Sequence, residues 1–276
     1  GVVRLRASRV PARRTFEQWR GDGGCPDACV GCNFSPVYNA FSRGLRRTAG
    51  RPRRLLYLAD STSLGLKVSR SKRFRYRFKP MIWSDDEMAR YFDACVAVSR
   101  TTEPIFRDLK RPWLWLPNGC DPARVPDPPS VRRDGPISFG YFGALADHTG
   151  VPALLRVFTA RTRQAELAIC GYGKMRERLE SEFRARPDLR FCGPFTPPEC
   201  LRFGQQCDVL VNPRPLWPGN ENNFSSKVFE YALTGRPILT SHVSGVDRIL
   251  GPDAFYFDEE DFDRSLDRAL EEIAAR

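Results

Sequence analysis

From residue 136 to residue 241 short, continuous apolar runs alternate with stretches of helical spacing, and this alternation constrains the fold more than any other feature of the chain. "PISFGYFGAL" (136–145) predicts a strand, "GVPALLRVFTAR" an amphipathic helix and "AELAICG" a second strand. The order continues with "KMRERLESEFRAR" as a charged helix, "LRFCGPF" as a strand, "PPECLRFGQQ" as a short helix and "CDVLVNPRP" as a strand. "SSKVFEYALTG" then gives a helix with Gly235 at its end, and "RPILTS" one more strand. Strands joined in sequence by helices run parallel through right-handed crossovers, with helices covering both faces of the sheet. A Rossmann-like domain is therefore expected, followed by the strongly periodic terminal helix "EDFDRSLDRALEEIAAR".

The front of the chain alternates less completely. "ACVGCNF" and "RRLLYLAD" read as strands around a helix "VYNAFSRGLRRTAG", and "SDDEMARYFDACVAVSRTTEPIFRDL" reads as helix, strand, helix, with Ser84 or Asp85 as cap. That supplies about three strands, fewer than an open doubly wound sheet normally has, so an incomplete N-terminal domain is expected. Trp113 and Trp115 are expected to pack between domains, and the proline- and glycine-rich "WLPNGCDPARVPDPPSVRRDGP" marks the boundary. The division is 1–125 and 126–276.

Charge is partitioned the same way. The net charge is +11, yet residues 1–79 hold 19 Lys or Arg against Glu17, Asp22, Asp27 and Asp60, and the remainder is slightly acidic. An anionic partner is expected at the basic third: lipid headgroups, polyprenyl phosphates, nucleic acid or acidic glycans. Within "KVSRSKRFRYRFK" (67–79) cations alternate with Phe74, Tyr76 and Phe78, a pattern suited to a membrane interface or a polyanion. No apolar run approaches the roughly 20 residues of a membrane-spanning helix, and the opening "GVVRLRASRVPARR" lacks the apolar stretch of a secretory signal. The nine cysteines suit reduced thiols. A cytoplasmic chain, peripheral at the inner face of a membrane, is the expectation; its start at Gly1 without an initiator methionine suits a processed product or a fragment.

Two local patterns carry chemistry. Cys25, Cys29 and Cys32 in "CPDACVGC" have the C-x3-C-x2-C spacing of iron–sulfur binding in radical enzymes, a reading that needs a barrel after the motif. The other is "NPRPLWPGNENNFSSKVFEYALTGRPILTS" (212–241), where Ser225, Ser226 and Lys227 open a helix. Backbone N–H groups, hydroxyls and a cation converge there on an anion, and Glu230 is placed to accept from paired ribose hydroxyls. Ordinary helix capping is the competing account of the two serines. His148 and His242 are read as surface residues and the Asp85-Asp86 pair as a helix start.

"FDACVAVSR", "LPNGCD", "ISFGYFGAL", "LAICGYGKM", "LRFCGPFTPPECLRFGQQCDVLVNPRP" and "FSSKVFEYALTGRPILTS" occur in an order and spacing that resembles the group 1, family-4-type glycosyltransferases of the GT-B fold. The resemblance spans about 220 residues. It implies two Rossmann-like domains with parallel sheets, the N-terminal one incomplete. It also implies a retaining, metal-independent hexosyl transfer from a nucleotide diphosphate sugar to a glycan or lipid-linked acceptor, of the kind that builds cell-surface polysaccharide, with no cofactor and no nucleic-acid partner.

Carried over by position, Glu230 matches the ribose-holding second glutamate of the family's Glu-x7-Glu pattern, and Phe224 the aromatic of the same loop. Gly143 matches the glycine ending the first donor-domain strand, and Gly171, Tyr172 and Gly173 the loop near the base. Asp60 matches the aspartate beside the acceptor. The "PD" before "ACVGCNF" makes Cys29 and Cys32 strand residues by the same comparison; an extended strand separates such side chains by about 10 Å, on opposite faces. Neither a cluster nor a metal ion is then expected.

The chain departs from the family pattern at four places. Asn222 stands for the first glutamate, Ala144 and Thr149 for the diphosphate-clasping arginine and lysine, and Ala59 for the histidine before Asp60. Lys227 and Arg214 are the expected replacements. A catalytically inactive partner subunit and, on the basic third alone, a nucleic-acid-binding protein are the alternatives.

Overall fold

The structure, a computed structural model, describes residues 28–32, 53–58, 92–100, 103, 107, 111–125, 127, 135–160, 164–216, 224–258 and 261–275. Asp60, Asn222, Cys25, the helix-capping residues Ser84 and Asp85, and the basic segment 67–79 lie outside them. Two compact units are formed, one by Gly1–Pro117 with Glu221–Phe224, the other by Asn118–Asn220 with Ser225–Arg276.

Among the described residues the first unit forms a parallel sheet in the order β1-β2-β3-β4, with β1 Ala28–Cys32, β2 Arg53–Leu58, β3 Ala94–Ala97 and β4 Trp113–Trp115. Leu56, Leu58, Phe92, Cys95 and Ala97 form its core, with Trp113 packed against it. Buried Arg54 is clasped by Asp93, Nε at 3.1 Å and Nη2 at 2.6 Å from its carboxylate, which holds that carboxyl below its usual range. The fourth strand was not expected. Trp113 and Trp115 belong to it, and the Trp115 indole donates to the Val98 carbonyl at 3.0 Å while the Arg100 guanidinium stands over its ring. Cys29 and Cys32 both lie on β1, as strand residues.

Among the described residues the second unit holds six parallel strands: β5 Ile137–Ala144, β6 Ala165–Tyr172, β7 Leu189–Cys192, β8 Val209–Asn212, β9 Ile238–Ser241 and β10 Phe255–Phe257. Their order is β10-β9-β8-β5-β6-β7, the doubly wound arrangement. Both faces are covered, which is why the strands read as unbroken apolar runs rather than alternating ones. Phe139, Tyr141, Leu167, Ile169, Val209 and Val211 face a core shared with helices α1 Val151–Thr159, α2 Arg176–Phe183 and α6 Phe262–Ala274. Phe142, Ala168, Cys170 and Leu210 face the other, with α3 Pro197–Gln206 and α4 Lys227–Leu233. A further short helix, α5, is Asp247–Leu250.

Local chemistry fixes the start of α3 and the inner face of α6 as read from the sequence, whereas α4 starts at Lys227, two residues after the sequence reading placed its opening. Thr196 and Glu199 close a capping box on α3, the carboxylate accepting from the Thr196 N–H at 2.7 Å and from its hydroxyl at 2.6 Å. Leu266, Leu270 and Ile273 repeat at helical spacing and bury the inner stripe of α6. Among the described residues no helix is long and apolar enough to cross a membrane, and no group of three or more His, Cys, Asp or Glu is arranged to hold a metal ion.

Candidate functional site

The sheet of the second unit reverses its winding between β5 and β8. Their pairing covers only Phe139↔Val209 and Gly140↔Leu210; beyond these residues the strands part toward their C-terminal ends. That divergence is where open α/β sheets take ligands. Tyr231 on α4 bridges the gap: its buried hydroxyl accepts from the Phe142 N–H at 3.1 Å and donates to the Phe142 carbonyl at 3.1 Å, with the Val211 carbonyl at 3.4 Å.

Two turns meet at the mouth. Gly150, with φ +78°, ends the turn after β5, and a Cβ there would lie 1.4 Å from the Pro213 carbonyl oxygen in the turn after β8. Only glycine permits that approach. The turn after β8 is fixed by a buried chain of hydrogen bonds. Ser225 donates to Asn212 Oδ1 at 3.3 Å, Asn212 Nδ2 to Thr240 Oγ1 at 2.9 Å, and Ser241 Oγ to the Arg214 carbonyl at 2.7 Å. The Ser225 hydroxyl is thus spent on the scaffold. Ser226 is exposed and its side chain makes no capping bond.

Lys227 begins α4 and reaches back to β5. Its Nζ donates to the Tyr141 phenol oxygen at 2.6 Å and stands 4.3 Å from the ring centroid. At Gly143, where φ is +147°, a Cβ would come within 2.8 Å of Lys227 Cε and Nζ, so this glycine makes room for the lysine end. The residue keeps some exposed surface, but its ammonium is enclosed. Burial first, then the Arg214 charge, pull it down to about 7, while Glu230 one turn along acts the other way. Arg214 is itself buried. His148, exposed in the turn after β5, is also pushed down, by what cover it has and by Arg214 and Lys227. Two cations and a histidine therefore converge on one end of the sheet. The Glu230 carboxylate has no hydrogen-bond partner among the described residues.

Beside this cluster, at the end of β6, Gly171 lies under the Gly143 carbonyl and Gly173 against that of Leu145, while Tyr172 is 68% exposed between them. Arg176 holds the turn, donating to the Gly171 carbonyl at 2.6 Å and the Cys192 carbonyl at 3.0 Å. Phe224 is buried immediately before Ser225. Of the residues singled out from sequence, Gly143, Arg214, Ser225, Ser226, Lys227 and Glu230 gather at the diverging strands, with Gly171, Tyr172 and Gly173 on the neighbouring strand end; Asp60 and Asn222 lie outside the described residues. Sequence reasoning missed Tyr141, read simply as a strand residue, and Arg176; it also gave His148 no role. Thr149, which stands where a cation was expected, donates to the Ala146 carbonyl at 2.6 Å and builds the turn.

Two parallel α/β units, the second doubly wound with cations at its switch point, define a GT-B-type protein. Residues 136–276 match the family described as glycosyl transferases group 1, and the chain belongs to that family. Among solved structures it is similar to sucrose-phosphate synthase from Thermosynechococcus elongatus, at 17% identity and a TM-score of 0.73, over 99% of this chain and 73% of that one. It also resembles the apo lipopolysaccharide outer core galactosyltransferase WaaB, at 16% identity and a TM-score of 0.67, over 95% and 71%. The Anabaena protein HepE, in complex with UDP and glucose, aligns at 14% identity and a TM-score of 0.64, over 95% and 72%. At such identities the likeness is one of fold. No curated protein sequence matches the chain.

Proposed function

We propose that the chain transfers a hexose, with retention and without a metal ion, from a nucleotide diphosphate sugar to a glycan or lipid-linked acceptor in the assembly of surface polysaccharide. The observation that carries this reading is the pair of cations, Lys227 and Arg214, gathered where β5 and β8 part. Two cationic side chains set side by side, one of them pulled down by burial and by its neighbour, match a ligand that brings negative charge. In the transfer, the bond from the anomeric carbon to the diphosphate oxygen breaks, the acceptor oxygen bonds to that carbon on the same face, and the acceptor proton passes to the departing diphosphate. Charge grows on that diphosphate, so preorganised cations stabilise the transition state more than the ground state. Lys227 and Arg214 do in this account what a metal does elsewhere, with Ser226 and the α4 backbone N–H groups beside them and Ser225 and Asn212 as their support. Glu230 takes the ribose hydroxyls, Tyr172 offers its exposed ring to the base, and Gly143, Gly171 and Gly173 let the backbone come close to the ligand. Phe224 and Asn222 are assigned to the donor on the family pattern alone. Residues 126–276 are assigned to the donor and 1–125, with Asp60, to the acceptor.

A thermal-shift titration with UDP, GDP, dTDP and CMP tests the donor site. One nucleoside diphosphate is expected to raise Tm, with the shift lost in Lys227→Ala and Glu230→Ala. A flat response to all four would remove the assignment. The neutral residues Ala144 and Thr149, where family members carry cations, support a second reading as a donor-binding subunit without turnover; binding without sugar release from any nucleotide sugar would favour it.

A further inference from the structure

Lys227 has a phenol where a buried lysine ordinarily has a carboxylate. The Tyr141 side chain is fully buried; its hydroxyl donates to the Ala144 carbonyl at 2.7 Å, and the Thr149 hydroxyl is a further hydrogen-bonding neighbour of the same oxygen. What the oxygen still offers is a lone pair, and Lys227 Nζ takes it at 2.6 Å. These two bonds tie the first residue of α4 to the C-terminal end of β5, across 86 residues of sequence. We propose that Tyr141 is a positioning residue for the anion site: its phenol oxygen, with its own proton spent on Ala144, holds Lys227 Nζ against Gly143 so that the ammonium meets the diphosphate of the donor. The inference rests on the donor reading given above.

The choice of a neutral partner has a consequence. A carboxylate at this position would cancel the lysine charge and compete with an anionic ligand, whereas a phenol orients the ammonium and leaves its charge for the ligand. The groups facing Lys227 are Tyr141 from β5, His148 from the following turn, Arg214 from the turn after β8 and Glu230 from its own helix. Of these only Glu230 favours the charged form through its charge. A diphosphate adds a second such partner, so donor binding draws a proton onto Lys227 and weakens as pH rises through the midpoint of the free lysine. Removing the phenol oxygen removes a hydrogen bond to the charged form, and that midpoint moves down.

The chain has six lysines, few enough for 13Cε NMR titration of each, with Lys227 assigned by its loss in Lys227→Arg. Tyr141→Phe is expected to move the Lys227 midpoint down from about 7 in the wild type. Tyr231→Phe, which deletes a neighbouring buried hydroxyl whose hydrogen bonds go to the Phe142 and Val211 backbone, should leave it in place. UDP-glucose, whose diphosphate has no proton to lose between about pH 5.5 and 8.5, serves as binding probe. Its affinity should fall roughly tenfold or more in Tyr141→Phe, with the falling limb of its pH profile displaced to the acid side together with the lysine midpoint. If Tyr141→Phe does not fold, 3-fluorotyrosine incorporation, which weakens the phenol oxygen as an acceptor, must lower the same midpoint. A Lys227 midpoint unmoved by either change overturns the positioning role whatever the protein binds. A midpoint that moves as expected, in a wild type that binds neither UDP-glucose nor any nucleoside diphosphate, supports the hold of Tyr141 on Lys227 and overturns the donor reading instead.

Discussion

The charged form of Lys227 is disfavoured by its own surroundings. Its amine is enclosed, its hydrogen-bond acceptor is neutral and its cationic neighbour Arg214 repels it. The unfolded chain binds a proton there up to about pH 10.4, while the folded chain gives it up near 7. Between these values the unfolded state carries more protons, so stability rises with pH across that window, and below about 7 the full penalty is present. Lys227→Met removes the charge and keeps most of the packing. The variant is expected to be more stable than the wild type at pH 6 to 7, with the difference shrinking toward pH 10, and to bind no nucleoside diphosphate. Urea midpoints measured across that range test it; a variant less stable than the wild type at every pH would mean that the ammonium is stabilised by interactions other than those described.

At the scale of elements, the turns after β5 and β8 determine whether the cations meet at all. Gly150 carries both a positive φ and a near-contact with the Pro213 carbonyl. Gly150→Ala adds backbone strain and overpacking together, expected to cost roughly 2–4 kcal/mol and to displace Arg214. Gly119→Ala, where an added Cβ meets nothing within 4 Å, should stay within about 0.5 kcal/mol. Denaturant midpoints at constant m separate the two; equal effects would mean that the turns give way easily. Most of these elements were legible in the sequence, because strands buried on both faces and helices such as α1 and α6 leave periods long enough to read. β4 and β10 were not, since "WLW" and "FYF" are three residues each and show no period. The site was legible only where it is local. Ser226 stands at the N-cap position of α4 and Lys227 and Glu230 lie in its first turn, whereas the contact between Tyr141 and Lys227 is made by sheet topology and has no signature in either segment.

Over the whole molecule, charge and chemistry are separated along the chain. The candidate donor residues Gly143 to Glu230 fall in the slightly acidic portion, while the strong positive excess falls before residue 80, in the part assigned to the acceptor. An anionic donor does not require that excess, since Lys227 and Arg214 are already in its own unit. The excess therefore points to a second anionic partner, and an acceptor carried on lipid would place it at a charged membrane surface. Each Lys or Arg near such a surface contributes about 1 kcal/mol, and the attraction fades within a Debye length of about 10 Å at 0.1 M salt. The full chain is expected to sediment with vesicles containing phosphatidylglycerol at 50 mM NaCl, to remain in solution with pure phosphatidylcholine, and to be released from the anionic vesicles by 0.5 M NaCl. Replacing Lys67, Arg70, Lys72 and Arg73 by glutamine should weaken sedimentation without altering the thermal shift by nucleotide, because the two anions are taken by different parts of the chain. Binding to duplex DNA with a steep salt dependence, in the absence of any binding to vesicles, would turn the basic third toward nucleic acid and leave the donor site to be explained by another acceptor.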